Sequence, residues 1–223
     1  MILDFPSPAA LAEALADAVA AALAARLARA GAAALAVSGG TTPVRFFQAL
    51  STRELDWRRV SITLVDDRWV PESSPRSNAA LVRRHLLQGA AAAAAFVPLV
   101  NSAATPEAGL AEVERAIAAL PLPLAAVVLG MGLDGHTASF FPDGDRLAEA
   151  LAPSHGQHVE SMRAEAAIEP RITLTLPVLL QADYVALHIE GDAKRALLQN
   201  GAAELPVGAM LARTPAPAIF WSR

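Results

Sequence analysis

Ala33-Ala34-Leu35-Ala36-Val37-Ser38-Gly39-Gly40-Thr41-Thr42-Pro43 decides the fold. Five apolar residues are too few for a helix and run straight into two glycines, two threonines and a proline. That pattern predicts a buried strand, a tight loop and a helix opening near Pro43. Upstream, Leu11, Leu15, Val19, Leu23 and Leu27 recur every four residues. Ser7 caps that helix, Pro8 takes its first position and Gly31 stops it. Downstream, strands are predicted over Val60–Val65, Phe96–Val100, Ala125–Leu129, Ile172–Leu176, Tyr184–Ile189 and Ala218–Trp221. Helices are predicted over Ser77–Leu87, Pro106–Leu120, Asp192–Gln199 and Pro206–Arg213, with one helical turn at Pro177–Gln181. Strands alternating with helices imply an α/β fold with a mostly parallel sheet. No linker or repeat interrupts residues 1–223, so a single domain is expected.

The 223 residues carry 18 basic and 22 acidic side chains, a formal charge of −4. No basic stripe is available, so nucleic acid and anionic membranes are not expected partners. Cysteine is absent, which excludes disulfides, thiolate metal sites and cysteine nucleophiles. Alanine accounts for 52 residues and raises the apolar fraction to 54%. Ala90–Val100 is shorter than the ~18–20 residues of a membrane span, and Leu11–Ala36 is broken by Glu13, Asp17, Arg26 and Arg29. With no basic segment ahead of Phe5-Pro6, a cytoplasmic protein is expected. Seventeen of the 18 basic residues are arginine, and Lys194 is the single lysine.

In parallel sheets, ligands sit beyond the carboxyl ends of the strands. Four strands run at that end into polar segments: Ser38–Pro43, Asp66–Arg68, Gly130–His136 and Glu190–Lys194. Ser38-Gly39-Gly40-Thr41-Thr42 offers backbone N–H groups, hydroxyls and a helix start, the ingredients of a phosphate cradle. Gly130-Met-Gly132-Leu-Asp134-Gly135 satisfies the dinucleotide pattern G-x-G-x-x-G. Pro142 and Gly144 interrupt the helix that pattern requires, and no strand with an acidic end follows. The alternative is an acid–base pair, His136 with Asp134 orienting it on an open glycine loop. At Asp66-Asp67-Arg68, alternate residues share a side, so Asp66 and Arg68 face a pocket together and Asp67 points elsewhere. The histidines at 85, 136, 155, 158 and 188 show no metal-binding pair, and no serine-hydrolase elbow is present, so neither a metal nor a cofactor is expected.

Taken in order, these segments resemble the 6-phosphogluconolactonase family. The resemblance rests on Ser38–Pro43, on Asp66-Asp-Arg-Trp-Val-Pro71, and on Ser77-Asn78 opening a helix. It continues through Gly130-Met-Gly-Leu-Asp-Gly-His-Thr-Ala-Ser-Phe-Phe-Pro142, Arg171-Ile-Thr-Leu-Thr175 and Gly191-Asp-Ala-Lys194, covering nearly the whole chain. It implies a three-layer α/β sandwich shared with the glucosamine-6-phosphate deaminases. It also implies hydrolysis of 6-phospho-D-glucono-1,5-lactone to 6-phosphogluconate, a step of the oxidative pentose phosphate pathway, by a monomer or small homo-oligomer. Ser38, Gly39, Gly40, Thr41, Thr42, Arg171 and Lys194 then hold the phosphate, with Arg68 and Asn78 nearby. His136 acts as general base on water and Asp134 orients it. Asp66 holds sugar hydroxyls or assists the proton, and backbone N–H groups of Gly130–Gly135 receive the oxyanion. The deaminases place a proton-moving glutamate where this chain has Phe141, which disfavours deamination. A sugar-phosphate sensor without turnover is the other alternative. Such regulators usually carry a DNA-binding module, and no recognition helix is apparent here.

Overall fold

The computed structural model describes residues 2–223. Ten strands and eight α-helices follow one another as β1 (Ile2–Phe5), α1 (Pro8–Ala30), β2 (Ala33–Val37), α2 (Val44–Ser51), β3 (Val60–Leu64), β4 (Asp66–Arg68), α3 (Asn78–His85), β5 (Ala95–Val97), α4 (Pro106–Ala118), β6 (Ala126–Leu129), α5 (Leu147–Leu151), β7 (Val159–Met162), β8 (Arg171–Leu174), α6 (Leu176–Leu180), β9 (Tyr184–Glu190), α7 (Asp192–Asn200), α8 (Pro206–Leu211) and β10 (Ala218–Ser222). Seven strands form a wholly parallel sheet in the order β1-β10-β9-β6-β2-β3-β5, with helices on both sides. Its central strands are apolar along their whole length because both faces are covered; every residue of β2 and β6 is buried.

Helix α1 begins as the sequence predicts. The Ser7 hydroxyl accepts from Ala10 N–H at 3.2 Å, and Gly31 ends the helix at φ 81°, its N–H donating to Leu27 O. Among the described helices α1 alone is long and apolar enough to cross a membrane. Here Leu11, Leu15, Val19, Leu23 and Leu27 instead pack into the core, and the helix lies against α2 and five strands of the sheet. Its buried Arg26 donates to Asp183 Oδ2 at 2.7 Å, so the one cation on the packed face is paired.

From β2 the chain builds outward through β3 and β5, then returns to build the other side through β6, β9 and β10. The strand order therefore reverses between β2 and β6, where a crevice opens at the carboxyl ends. β9, β6, β2 and β3 are direct neighbours, so the four polar segments emerge side by side.

Two sequence expectations are corrected. Ile172–Leu176 is not a strand of the main sheet: β8 belongs to a three-stranded antiparallel sheet, β4-β8-β7, and Leu176 already begins α6. Asp66–Arg68, read as a polar segment at the end of β3, is itself a strand, its three residues pairing with Thr173, Ile172 and Arg171. Three residues are too short to show a period, and only the partner strand gives them one. β1, β7 and α5 had no sequence signal long enough to read. β7 is disguised by buried Glu160, whose carboxylate is held by Arg146 Nε at 3.0 Å.

Candidate active site

At the switch point lies a cleft of ≈ 250 Å³. It is lined by Ser38, Gly39, Gly40, Thr41 and Thr42 after β2, Asp66 and Arg68 on β4, and Asn78 at the start of α3. Gly130 to Gly132 and His136 after β6, Arg171 on β8, His188 on β9 and Lys194 on α7 complete the wall. Every expected site residue except Asp134 lines it, and Asp134 touches it through His136.

The loops are fastened to one another. Gly130 N–H donates to Ser38 Oγ at 3.0 Å, and Thr137 Oγ1 donates to Gly130 O at 2.8 Å. The Ser38 oxygen is thus occupied as an acceptor, leaving its proton to donate. Gly39 leaves no room for a side chain, since a Cβ there would fall inside the Asn78 amide. Asn78 itself is engaged at both ends of its amide: Nδ2 donates to Asp66 O at 2.9 Å, and Oδ1 accepts from Arg68 Nη1 at 3.0 Å. It positions Arg68 and holds the glycine loop close, a role its sequence context did not reveal.

Asp66 and Arg68 do share the cleft side of β4. Asp67 turns the other way, wholly buried, and accepts from the N–H groups of Arg68, Asn78 and Ala79 at 2.8, 2.8 and 3.0 Å. It ties β4 to the first turn of α3. Burial pushes its carboxyl up to about 6, against the opposing pull of those backbone bonds.

Three cations line the cleft against one carboxylate, although the chain as a whole is acidic. Arg171 Nη1 stands 3.9 Å from Asp66 Oδ2, beyond a hydrogen bond, and the Nε atoms of Arg171 and Arg68 are buried with no partner. Burial pulls the Arg171 guanidinium below the usual arginine value, with Asp66 pulling back. Burial likewise lowers Lys194, which Glu190 counteracts. The two guanidinium groups therefore keep buried donors unused, the kind of donor an anion accepts from.

His136 Nδ1 lies 2.6 Å from Asp134 Oδ1, and the same oxygen accepts from His136 N–H at 3.2 Å. A carboxylate only accepts, so Nδ1 carries the proton, and in the neutral imidazole Nε2 keeps its lone pair. The turn Thr137–Phe140, with Ala138 at φ 49°, then brings Phe141 against the imidazole. Their ring centroids are 4.5 Å apart, and the Arg171 guanidinium lies 5.5 Å from the same phenyl ring. Phe141 is therefore a shared wall between the histidine and the arginine, a role no local sequence signal gave it. Ser139, two residues earlier, donates to Asp66 Oδ2 at 2.6 Å.

The oxyanion expectation narrows. Gly132 N–H donates to His136 O and Gly135 N–H to Gly132 O, while Gly130 N–H is held by Ser38. Met131 N–H, in the part of the loop that lines the cleft, makes no hydrogen bond among the described residues.

Fold and site together define an α/β protein whose cleft brings three cations and a glycine loop beside an imidazole held by a carboxylate. A sequence profile of the glucosamine-6-phosphate isomerases/6-phosphogluconolactonase family matches residues 6–221. A protein named 6-phosphogluconolactonase from Rhizobium meliloti is 53% identical over 98% of this chain and 97% of its own length. Another so named, from Pseudomonas aeruginosa, is 44% identical over 92% of this chain and 88% of its own. A crystal structure of a 6-phosphogluconolactonase from Shewanella baltica superposes with a TM-score of 0.95 at 37% identity, covering 100% of this chain and 97% of that one. The chain belongs to the glucosamine-6-phosphate isomerase/6-phosphogluconolactonase family, on the 6-phosphogluconolactonase side of it. A monomeric glucosamine-6-phosphate deaminase shares the fold, with a TM-score of 0.73 at 16% identity.

Proposed function

We propose that this protein hydrolyses 6-phospho-D-glucono-1,5-lactone to 6-phosphogluconate with His136 as general base. The observation that carries the reading is one cleft holding the Asp134-oriented imidazole together with the underpaired Arg171 and Arg68 and the Lys194 ammonium. The phosphate is held by these cations and by the Ser38–Thr42 loop. Binding at that group, which does not react, brings the lactone carbonyl beside His136. Nε2 removes a proton from water as its oxygen bonds to C1. The oxyanion collapses, the bond from C1 to the ring oxygen breaks, and the imidazolium returns the proton to that oxygen. Asp134 stabilises the transient cation. Asp66, fixed by Ser139, accepts from sugar hydroxyls, and Met131 N–H faces the developing oxyanion. No covalent intermediate is needed, because a δ-lactone is an activated ester.

Phe141 argues against the deaminase chemistry known in the wider family, since a buried phenyl ring cannot move a proton. The test supplies two substrates to the purified protein. 6-Phosphogluconate from the lactone, above spontaneous opening, with no ammonia from glucosamine 6-phosphate is the expected result. Ammonia overturns it in favour of a deaminase, and product from neither overturns it in favour of a sugar-phosphate sensor.

A further inference from the structure

His188 is a buried imidazole at the anion-binding end of the cleft that the reaction above does not use. It stands on β9 and lines the cleft together with the Ser38–Pro43 loop and Lys194. Only 3% of it is exposed, and its Nε2 is buried with no hydrogen-bond partner. Buried ring nitrogens are normally bonded. Glu190 Oε1 lies 3.4 Å from it, two residues on and so on the same side of the strand. Neighbouring elements supply little else. Phe220 and Ser222 of β10 lie alongside His188 and Glu190, and the Ser222 hydroxyl is itself buried and unpartnered. The cations bearing on Glu190 are Arg45 of α2 and Lys194 of α7. Contact with His188 comes first, ahead of those two charges, in holding the Glu190 carboxyl below its usual range despite burial.

In the free protein Glu190 therefore competes for the Lys194 ammonium. A dianionic phosphate arriving at Lys194 meets that carboxylate as a like charge, a cost that one added proton removes. Of the side-chain types around Glu190, only an imidazole ordinarily changes charge near neutral pH, and His188 supplies it. We propose that His188 is a positioning residue for the phosphate: it takes up a proton when the anion binds, neutralises Glu190 and leaves Lys194 to the phosphate. This rests on the phosphate reading of the cleft given above.

The test is calorimetric titration of the whole protein with 6-phosphogluconate, between about pH 7 and 8.5, in two buffers of different ionisation enthalpy. The wild type is expected to take up a fraction of a proton on binding and to bind more weakly as pH rises. His188→Asn and His188→Gln keep an uncharged polar head. Both are expected to lose the uptake and the slope, and to bind roughly tenfold more weakly at pH 7, the linkage of a one-unit shift. In turnover the change falls more on KM than on kcat. A His136→Asn protein keeps the uptake, which separates the two imidazoles. Thermal midpoints of both His188 variants check their folding, and the uptake of the wild type stands without them. Unaltered affinity, slope and uptake in either folded variant overturn the role of His188, as does a wild type that takes up no proton. Wild-type binding of 6-phosphogluconate no tighter than of gluconate overturns the phosphate reading itself. Weak binding by Lys194→Met beside wild-type-like His188 variants overturns this inference alone.

Discussion

Replacing Gly132 by alanine moves the His136–Asp134 pair while sparing the fold. A Cβ built at Gly132 comes within 2.5 Å of three atoms: His136 Nδ1, His136 Cε1 and Asp134 Oδ1. Ordinary contact begins near 3.5 Å, so the imidazole and the carboxylate must retreat by about 1 Å. That breaks the 2.6 Å bond that sets the histidine tautomer and swings Nε2 off its line to the substrate. A displacement of ~1 Å at a reacting group costs roughly 10²-fold in rate. Stability is affected far less. Gly132 does not occupy the left-handed region, and the His136 and Asp134 side chains are 32% and 38% exposed, free to turn into solvent. Alanine also restricts the unfolded chain, an offset of about 0.4–1 kcal/mol, so the thermal midpoint should stay within a few degrees of wild type. The assay follows acid release from 6-phosphogluconolactone with a pH indicator, subtracting spontaneous opening, beside circular dichroism of the same samples. A folded Gly132→Ala protein with kcat/KM within twofold of wild type would refute the assignment of His136 and Asp134 as an acid–base unit.

Three further outcomes are expected. His136→Ala lowers lactone hydrolysis by ~10²-fold or more in the same assay, and near-normal turnover removes His136 from the base role. Lys194→Arg raises KM several-fold although charge is kept, because a guanidinium lacks the compact reach of an ammonium (a roughly tenfold rise is ~1.4 kcal/mol of binding). Because burial lowers Lys194, the wild type loses this charge, and with it affinity for 6-phosphogluconate, at a pH below that of an ordinary lysine; the arginine variant shows no such limb up to about pH 10. Asp67→Asn reports on the strand-to-helix tie. The folded-state carboxyl titrates at about 6 against 3.8 for a free one, so its contribution is full below pH 3.8 and is lost as pH rises through 6. The stability of wild type relative to Asp67→Asn, from urea unfolding at pH 4 and 7.5, should fall with pH by up to about 3 kcal/mol. A constant or growing difference refutes it.

The sequence by itself determined the class of fold and most of the candidate site. Leucines at four-residue spacing, short apolar runs and glycine stops are local consequences of helix and strand geometry, so α1, β2, β3, β6, β9 and the loops at their ends were legible without the structure. The loop Gly130–Pro142 displayed His136 and Asp134 two residues apart, and a separation that short leaves little for the fold to decide. Partnership was not legible. Periodicity reports that a strand is buried, never which strand lies beside it, so β8 passed for a member of the parallel sheet and Asp66–Arg68 for a polar tail of β3. Only antiparallel pairing of β4 with β8 brings Arg171 towards Asp66, across more than a hundred residues of chain. Tertiary structure likewise decided that Phe141 stands between His136 and Arg171, that Asn78 serves Arg68, and that His188, though buried, lines the cleft. It also decided the charge of the site. A composition with net −4 says nothing about where its cations meet, and the adjacency of β9, β6, β2 and β3 is what gathers Lys194, the single lysine, with the glycine loop around one cleft.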